Sequence, residues 1–169
     1  MILGIDVSTS KIGYCVIDDN KKLLEVNFKK LKEDTLEEKA SNFFCNEMQV
    51  IKRKYGIKEI RIEEPFTMFS GGRTTAGTMR KLQRFNGMIS ILCYRCFKIV
   101  PTLVSSRCAR SKCGIKIKRG EDTKKKIIEW VKSEYPKDFI FELTRHGNPR
   151  PGTDDMADSV VVALSHFST

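Results

Sequence analysis

The first 31 residues place three apolar segments end to end, MILGIDV, KIGYCVID and KLLEVNFKKL, with only STS and DNK between them. Connections this short allow hairpins and not crossovers, so three consecutive antiparallel strands are expected. The next segment, DTLEEKASNFFCNEMQVIKRKYG, opens on a capping Asp34 or Thr35. It repeats apolar residues at Leu36, Ala40, Phe43, Phe44, Met48 and Ile51 and stops at Gly56, the pattern of an amphipathic helix.

IKEIRIEEPF then reads as a strand with Ile57, Ile60 and Ile62, ended by Pro65, and FKIVPTLVSS as a later β-rich segment. Between them TMFSGGRTTAG reads as a loop and TMRKLQRFNGMISILCYRC as a helix with basic residues on its exposed side. RCARSKCGIKIKRG has no clear period and is expected to be a basic loop. EDTKKKIIEWVKSEYP is a helix capped at Asp122 or Thr123, and after the loop TRHGNPRPG a last helix starts near Thr153. This order predicts an α/β fold with a mixed sheet, three antiparallel strands and then parallel ones, flanked by helices. It matches the RNase H-like architecture. No repeat or linker divides the chain, so residues 1–169 are expected to form one domain.

With 169 residues and 40% hydrophobic content, a core can form without a staple. The six cysteines lack the paired spacing of a zinc site, and the one CxxC, Cys93 and Cys96, falls in the apolar ISILCYRCFKIV; all are read as reduced thiols. No apolar run approaches the ~20 residues that span a bilayer and no leader precedes the first strand, so no membrane partner and an intracellular location are expected, in a bacterium or an infected host cell.

The net charge of +10 is unevenly placed: residues 66 to 150 carry +13 and the rest of the chain −3. Such a one-sided field favours a polyanion, with nucleic acid first among them. Arg73, Arg80, Lys81, Arg84, Arg107, Arg110, Lys112, Lys116 and Lys118 are the candidate DNA contacts.

The acids are the second constraint. Asp6 lies inside an apolar strand, where a charge is costly without a partner. Glu63 and Glu64 end another strand. Asp155 and Asp158 stand three apart on the last helix, on a face distinct from the apolar stripe of Met156, Val160, Ala163, Leu164 and Phe167. Asp154 is explained as a charge in the first helical turn. Four convergent carboxylates relieve their repulsion by binding protons or divalent cations, and oxygen-only ligands suit Mg²⁺ or Mn²⁺. Two such ions in one active site would serve phosphodiester hydrolysis. Alternation separates Glu63 from Glu64 without saying which one faces Asp6.

These segments resemble the RuvC family of Holliday junction resolvases along nearly the whole chain. GIDVSTSKIGYCVID is similar to the family's first strand pair, RIEEPF to its glutamate strand and LQRFNGMISIL to the helix after that strand. NPRPGTDDMADSVVVALSH carries its DxxD. The resemblance implies Asp6, Glu63, Asp155 and Asp158 as the catalytic, metal-binding set, with Glu63 rather than Glu64 as the glutamate, and Phe66 as the aromatic inserted at the junction. It also implies a homodimer that nicks opposing strands of a four-way junction symmetrically. SGGRTTAGTMR and RCARSKCGIKIKRG depart from the bacterial pattern and point to a divergent member of viral or phage type.

An RNase H-like nuclease acting on RNA–DNA hybrids or on branched DNA generally is the alternative. Actin-like and sugar-kinase ATPases share the GIDxST opening but need two domains closing on a nucleotide, so no nucleotide cofactor is expected. A non-catalytic nucleic-acid-binding module would have no use for the acid set. The helix from Thr74 to Tyr94, through Met79, Leu82, Met88 and Leu92, is the candidate dimer face. His146 is read as a surface or loop-stabilising residue and Trp130 as core.

Overall fold

The computed structural model describes residues 1–65 and 75–167. Its strands are β1 (Ile2–Val7), β2 (Lys11–Ile17), β3 (Leu23–Lys30), β4 (Glu59–Glu63) and β5 (Thr102–Val104). The helices are α1 (Leu36–Phe43), α2 (Gln49–Lys54), α3 (Ala76–Phe97), α4 (Ser106–Lys112), α5 (Thr123–Glu134) and α6 (Thr153–Leu164). The strands form one sheet in the order β3-β2-β1-β4-β5. β1, β2 and β3 are antiparallel neighbours, whereas β4 lies parallel to β1 and β5 parallel to β4. The expected mixed RNase H-like sheet is present.

Side-chain alternation sorts the sheet into two apolar faces. Leu3, Ile5, Ile12, Tyr14, Val16, Ile60 and Ile62 pack with Phe43, Met48 and Ile51 of the first helical region and with Phe85, Ile89 and Cys93 of α3. Ile2, Cys15, Ile17 and Leu23 pack on the other face with Ile127 and Val131 of α5 and with Met156, Ala157, Val160 and Val161 of α6. Trp130 is half-buried against this second cluster. Helices therefore cover both faces, and α6 is buried along most of its circumference between the sheet and α5.

Local chemistry sets the boundaries. A capping box between Thr35 and Glu38 starts α1, and a π-helical turn, Phe44–Met48, separates α1 from α2 inside what the sequence presents as a single helix. That turn brings Glu47 to the Tyr14 hydroxyl at 2.7 Å and to Lys29 at 3.1 Å. The Asp122 carboxylate accepts from the amides of Lys124 and Lys125 at the start of α5.

Two expectations need correction. The stretch RCARSKCGIKIKRG is not all loop, because the Ser105 hydroxyl accepts from the Cys108 amide and starts the short helix α4. Its two turns bury only Ser106 and Ala109, too few positions to show a period. The β-rich segment shrinks to Thr102–Val104, since α3 runs on to Phe97 and ends at Lys98 in the left-handed conformation. Cys93 and Cys96 both lie buried on α3, and burial pushes both thiols up, which suits inert thiols.

Candidate active site

Two ladders and one helix assemble the acids. The parallel pairing of β1 with β4 sets Ile5 opposite Ile62, so the next residues, Asp6 and Glu63, emerge side by side at the end of the sheet. The Glu64 amide donates to the Val104 carbonyl at 2.9 Å, so the strand stays regular past Glu63. Alternation then turns Glu63 towards α6 and leaves Glu64 exposed.

α6 reaches the acids because the sheet beneath it is bare at two glycines. A Cβ on Gly4 would meet the Ser159 carbonyl oxygen at 2.3 Å, and one on Gly13, the partner of Asp6 across the β1–β2 ladder, would meet that of Asp155 at 2.0 Å. The first turns of α6 thus lie directly on the strands and deliver Asp158 to Asp6. Carboxylate oxygens of Asp6, Glu63 and Asp158 lie within 4.8 Å of one another. They line a cleft of about 210 Å³ with Ser8, Leu82, Lys124, Asp154 and Asp155.

Burial raises Asp6 well above the ordinary carboxylate range, and the charges of Glu63, Asp158, Asp155 and Asp154 add to it. Glu63 is pushed up to about 7, first by burial and then by Asp158, against the pull of Arg110 and the Ser106 hydroxyl. Asp158 also rises to about 7, first by burial, with Asp154 and Asp155 adding and Arg110 and Lys124 opposing. A cluster this deprived of water and so crowded with like charge is stabilised by protons or by cations. Its donors are all carboxylate oxygens, the set preferred by hard divalent ions, so these residues fit such an ion.

Asp155 stands apart from the other three. It is buried, and its Oδ2 lies 2.6 Å from the Lys11 ammonium. Burial raises Asp155, with Lys11 opposing. Asp154 is more than a cap-region charge, since it pairs with Lys124 and lies 3.6 Å from Lys11. Burial works to raise Asp154 too, but the two lysines outweigh it and hold its carboxyl below the ordinary range.

No family model matches the chain. The crossover junction endodeoxyribonuclease RuvC of Campylobacter jejuni subsp. jejuni serotype O:6 is 24% identical over 168 residues, spanning 98% of this chain and 94% of that one. The solved structure of T. thermophilus RuvC in complex with Holliday junction substrate aligns with a TM-score of 0.69 at 15% identity, over 98% of this chain and 91% of that one. The chain is thus similar to RuvC along nearly its whole length, in sequence and in fold. The yeast mitochondrial Holliday junction resolvase Ydc2 shares the fold at a TM-score of 0.60 and 16% identity, over 97% and 76% of the two chains.

On this scaffold the candidate DNA contacts fall into separate groups. Arg80, Lys81 and Arg84 are exposed on α3, and Arg84 pairs with Glu37 of α1. Arg107 and Lys112 on α4 and Lys116 and Lys118 beyond it are exposed. Arg107, Arg110 and Lys116 line a basic cleft of about 450 Å³, and Arg110 also acts electrostatically on Glu63 and Asp158. Phe66 and Arg73 lie outside the described residues. His146 is exposed in its loop, where it accepts from Arg145 Nε at 2.9 Å.

Lys11, Lys124 and Asn86 carry no expectation as site residues from the sequence. Asn86 is buried on α3, and its side chain donates to the Glu63 carbonyl at 2.9 Å, which pins the end of β4. A lone amide on the apolar stripe of Leu82, Phe85 and Ile89 is the signal that marks it. The proposed dimer stripe also needs correction. Met79 is buried, and Met88 and Leu92 pack into the molecule's own core. The exposed apolar residues of α3 are Ile91 and Tyr94.

Proposed function

We propose that this chain is a metal-dependent endodeoxyribonuclease that resolves four-way DNA junctions by paired symmetric nicks. The observation that carries the reading is the convergence of Asp6, Glu63 and Asp158, from two strands and a helix, in a cleft beside the basic one lined by Arg107, Arg110 and Lys116. Asp6, Glu63 and Asp158, with Asp155 at their edge, hold the catalytic ions. When bound there, Mg²⁺ or Mn²⁺, two ions per site, supplies an activated water and stabilises the leaving oxygen of the phosphodiester. Asn86 fixes the Glu63 backbone, and the glycine contacts seat Asp158. Arg110 and Lys124 place positive charge at the rim, where a phosphate chain enters, and the exposed cations of α3, α4 and the segment after α4 neutralise the arms.

A junction has a two-fold axis, and a homodimer presents paired sites to it. The face of α3 that carries Gly87, Ile91 and Tyr94 is the surface for that contact. The test is cleavage of a synthetic four-way junction with and without Mg²⁺, beside an RNA–DNA hybrid and a linear duplex. Asp6→Asn and Asp158→Asn should abolish nicking and leave gel-shift binding in Ca²⁺ intact. Preferential cutting of the hybrid would replace this reading with the RNase H-like alternative.

A further inference from the structure

Lys11 opens β2, and the packing of the later residues of that strand fixes the face on which it lies. Cys15 and Ile17 join the cluster under α6, while Ile12, Tyr14 and Val16 join the opposite one. Lys11 therefore shares a face with Gly13, the residue on which the Asp155 backbone rests. Its ammonium lies 2.6 Å from Asp155 Oδ2 and 3.6 Å from Asp154 Oδ1. The two aspartates are not equivalent partners, because Asp154 also has Lys124. Asp155 Oδ2 is buried and receives no well-directed hydrogen bond. Lys11 is thus the close cation of a carboxylate that would otherwise be a buried, uncompensated charge. Among the described residues, the compact carboxylate group contains Asp6, Glu63 and Asp158 but not Asp155.

We propose that Lys11 is a positioning residue that retains Asp155 at the edge of the cluster, so that divalent cations are taken up in two unequal stages. This inference rests on the metal-dependent nuclease reading. Asp6, Glu63 and Asp158 are preassembled and take the first ion without having to leave an ammonium in direct contact. A second ion that recruits Asp155 must draw it away from an ammonium already in contact. Lys11 therefore weakens the second stage and leaves the first nearly untouched. In return it keeps the first turn of α6 electrostatically satisfied while the site is empty.

The test is calorimetric titration of the intact chain with Mn²⁺ in the absence of DNA, on wild type, Lys11→Met, Lys11→Arg and Asp155→Asn. Wild type should show a tighter and a weaker event. Lys11→Met should tighten the weaker one by about tenfold or more and change the first little. Lys11→Arg keeps the charge and should behave as wild type. Asp155→Asn should erase the weaker event and make a further Lys11→Met change silent. An unchanged or lost second event in a Lys11→Met chain whose thermal unfolding remains cooperative would overturn the proposal. So would a single event in wild type, which leaves the metal-dependent nuclease reading standing. Failure of wild type to bind Mn²⁺ at all would remove both.

Discussion

Gly13→Ala is the substitution whose effect can be worked most directly from the structure. The added Cβ would stand 2.0 Å from the Asp155 carbonyl oxygen, 2.3 Å from its carbonyl carbon and 2.9 Å from the Met156 amide nitrogen, whereas ordinary contact begins near 3.4 Å. All three are helix backbone atoms, so no flexible side-chain end can yield, and the first turn of α6 must rise by about 1 Å or more. Overpacking of this kind costs about 1–3 kcal/mol, which for a chain of this size lowers Tm by roughly 2–12 °C. The larger effect falls on chemistry, because a displacement near 1 Å in a catalytic group costs about a hundredfold. Gly4→Ala should act alike: its Cβ would meet the Ser159 carbonyl oxygen, next to Asp158, at 2.3 Å and the Ala163 side chain at 2.7 Å, so it should destabilise comparably and also lose cleavage. The assay is junction cleavage well below each variant's Tm, beside thermal unfolding. Near-wild-type cleavage in either folded variant would show that seating α6 on the glycines has no bearing on the acids.

Glu63→Gln should reduce metal-dependent cleavage by orders of magnitude while Glu64→Gln retains most of it, and the reverse order in the junction assay would refute the strand register. Without metal, folded values near 7 for Glu63 and Asp158, against 4.5 and 3.8 for the free groups, mean that the folded chain binds protons which the unfolded chain has released. Their stabilising contribution is full below about pH 4 and is lost as pH rises through about 7, so Tm in EDTA should be lower at about pH 8 than at about pH 5.5 and recover with Mg²⁺. The same Tm at both pH values in EDTA would contradict the buried acid cluster; the lowered Asp154 titrates below this window. Reversing charge at Arg107 or Lys116 should weaken junction binding and flatten its salt dependence by about one counterion each, and unchanged slopes in a gel-shift series would exclude that cleft from the footprint.

The parts of the site written in local spacing were legible in the sequence. The DxxD puts Asp155 and Asp158 on one helical face, and the isoleucines of β4 assign Glu63 and Glu64 to opposite faces. Long-range pairings were not legible. Nothing near Lys11 announces that its partner is Asp155, and the DxxD spacing presents Asp155 and Asp158 as equals although Lys11 draws one of them aside. The stripe of Met79, Leu82, Met88 and Leu92 has the periodicity of an interface. Periodicity records only that a face is covered, and here Met88 and Leu92 pack against the chain's own core while Leu82 lines the acidic cleft. α4 escaped notice because two turns with two buried positions leave too short a record.

The way α6 is anchored has a practical bearing on how the molecule can be handled. Ser165 and His166, just past its C-terminal end, are fastened to β4, with Arg61 donating to the Ser165 hydroxyl at 2.8 Å and His166 Nδ1 lying 2.6 Å from Glu59. Glu59 is the ladder partner of Ile2, and the Lys58 amide donates to the Met1 carbonyl. Met1 and Phe167 therefore sit at the pole of the sheet opposite Asp6 and Glu63, separated from them by the length of α6, about 18 Å at 1.5 Å per residue. A dye or a surface anchor attached near Met1 or Phe167 would leave the acidic cleft facing away from the support. Single molecules could then be immobilised and watched while the arms of a junction enter from the free side.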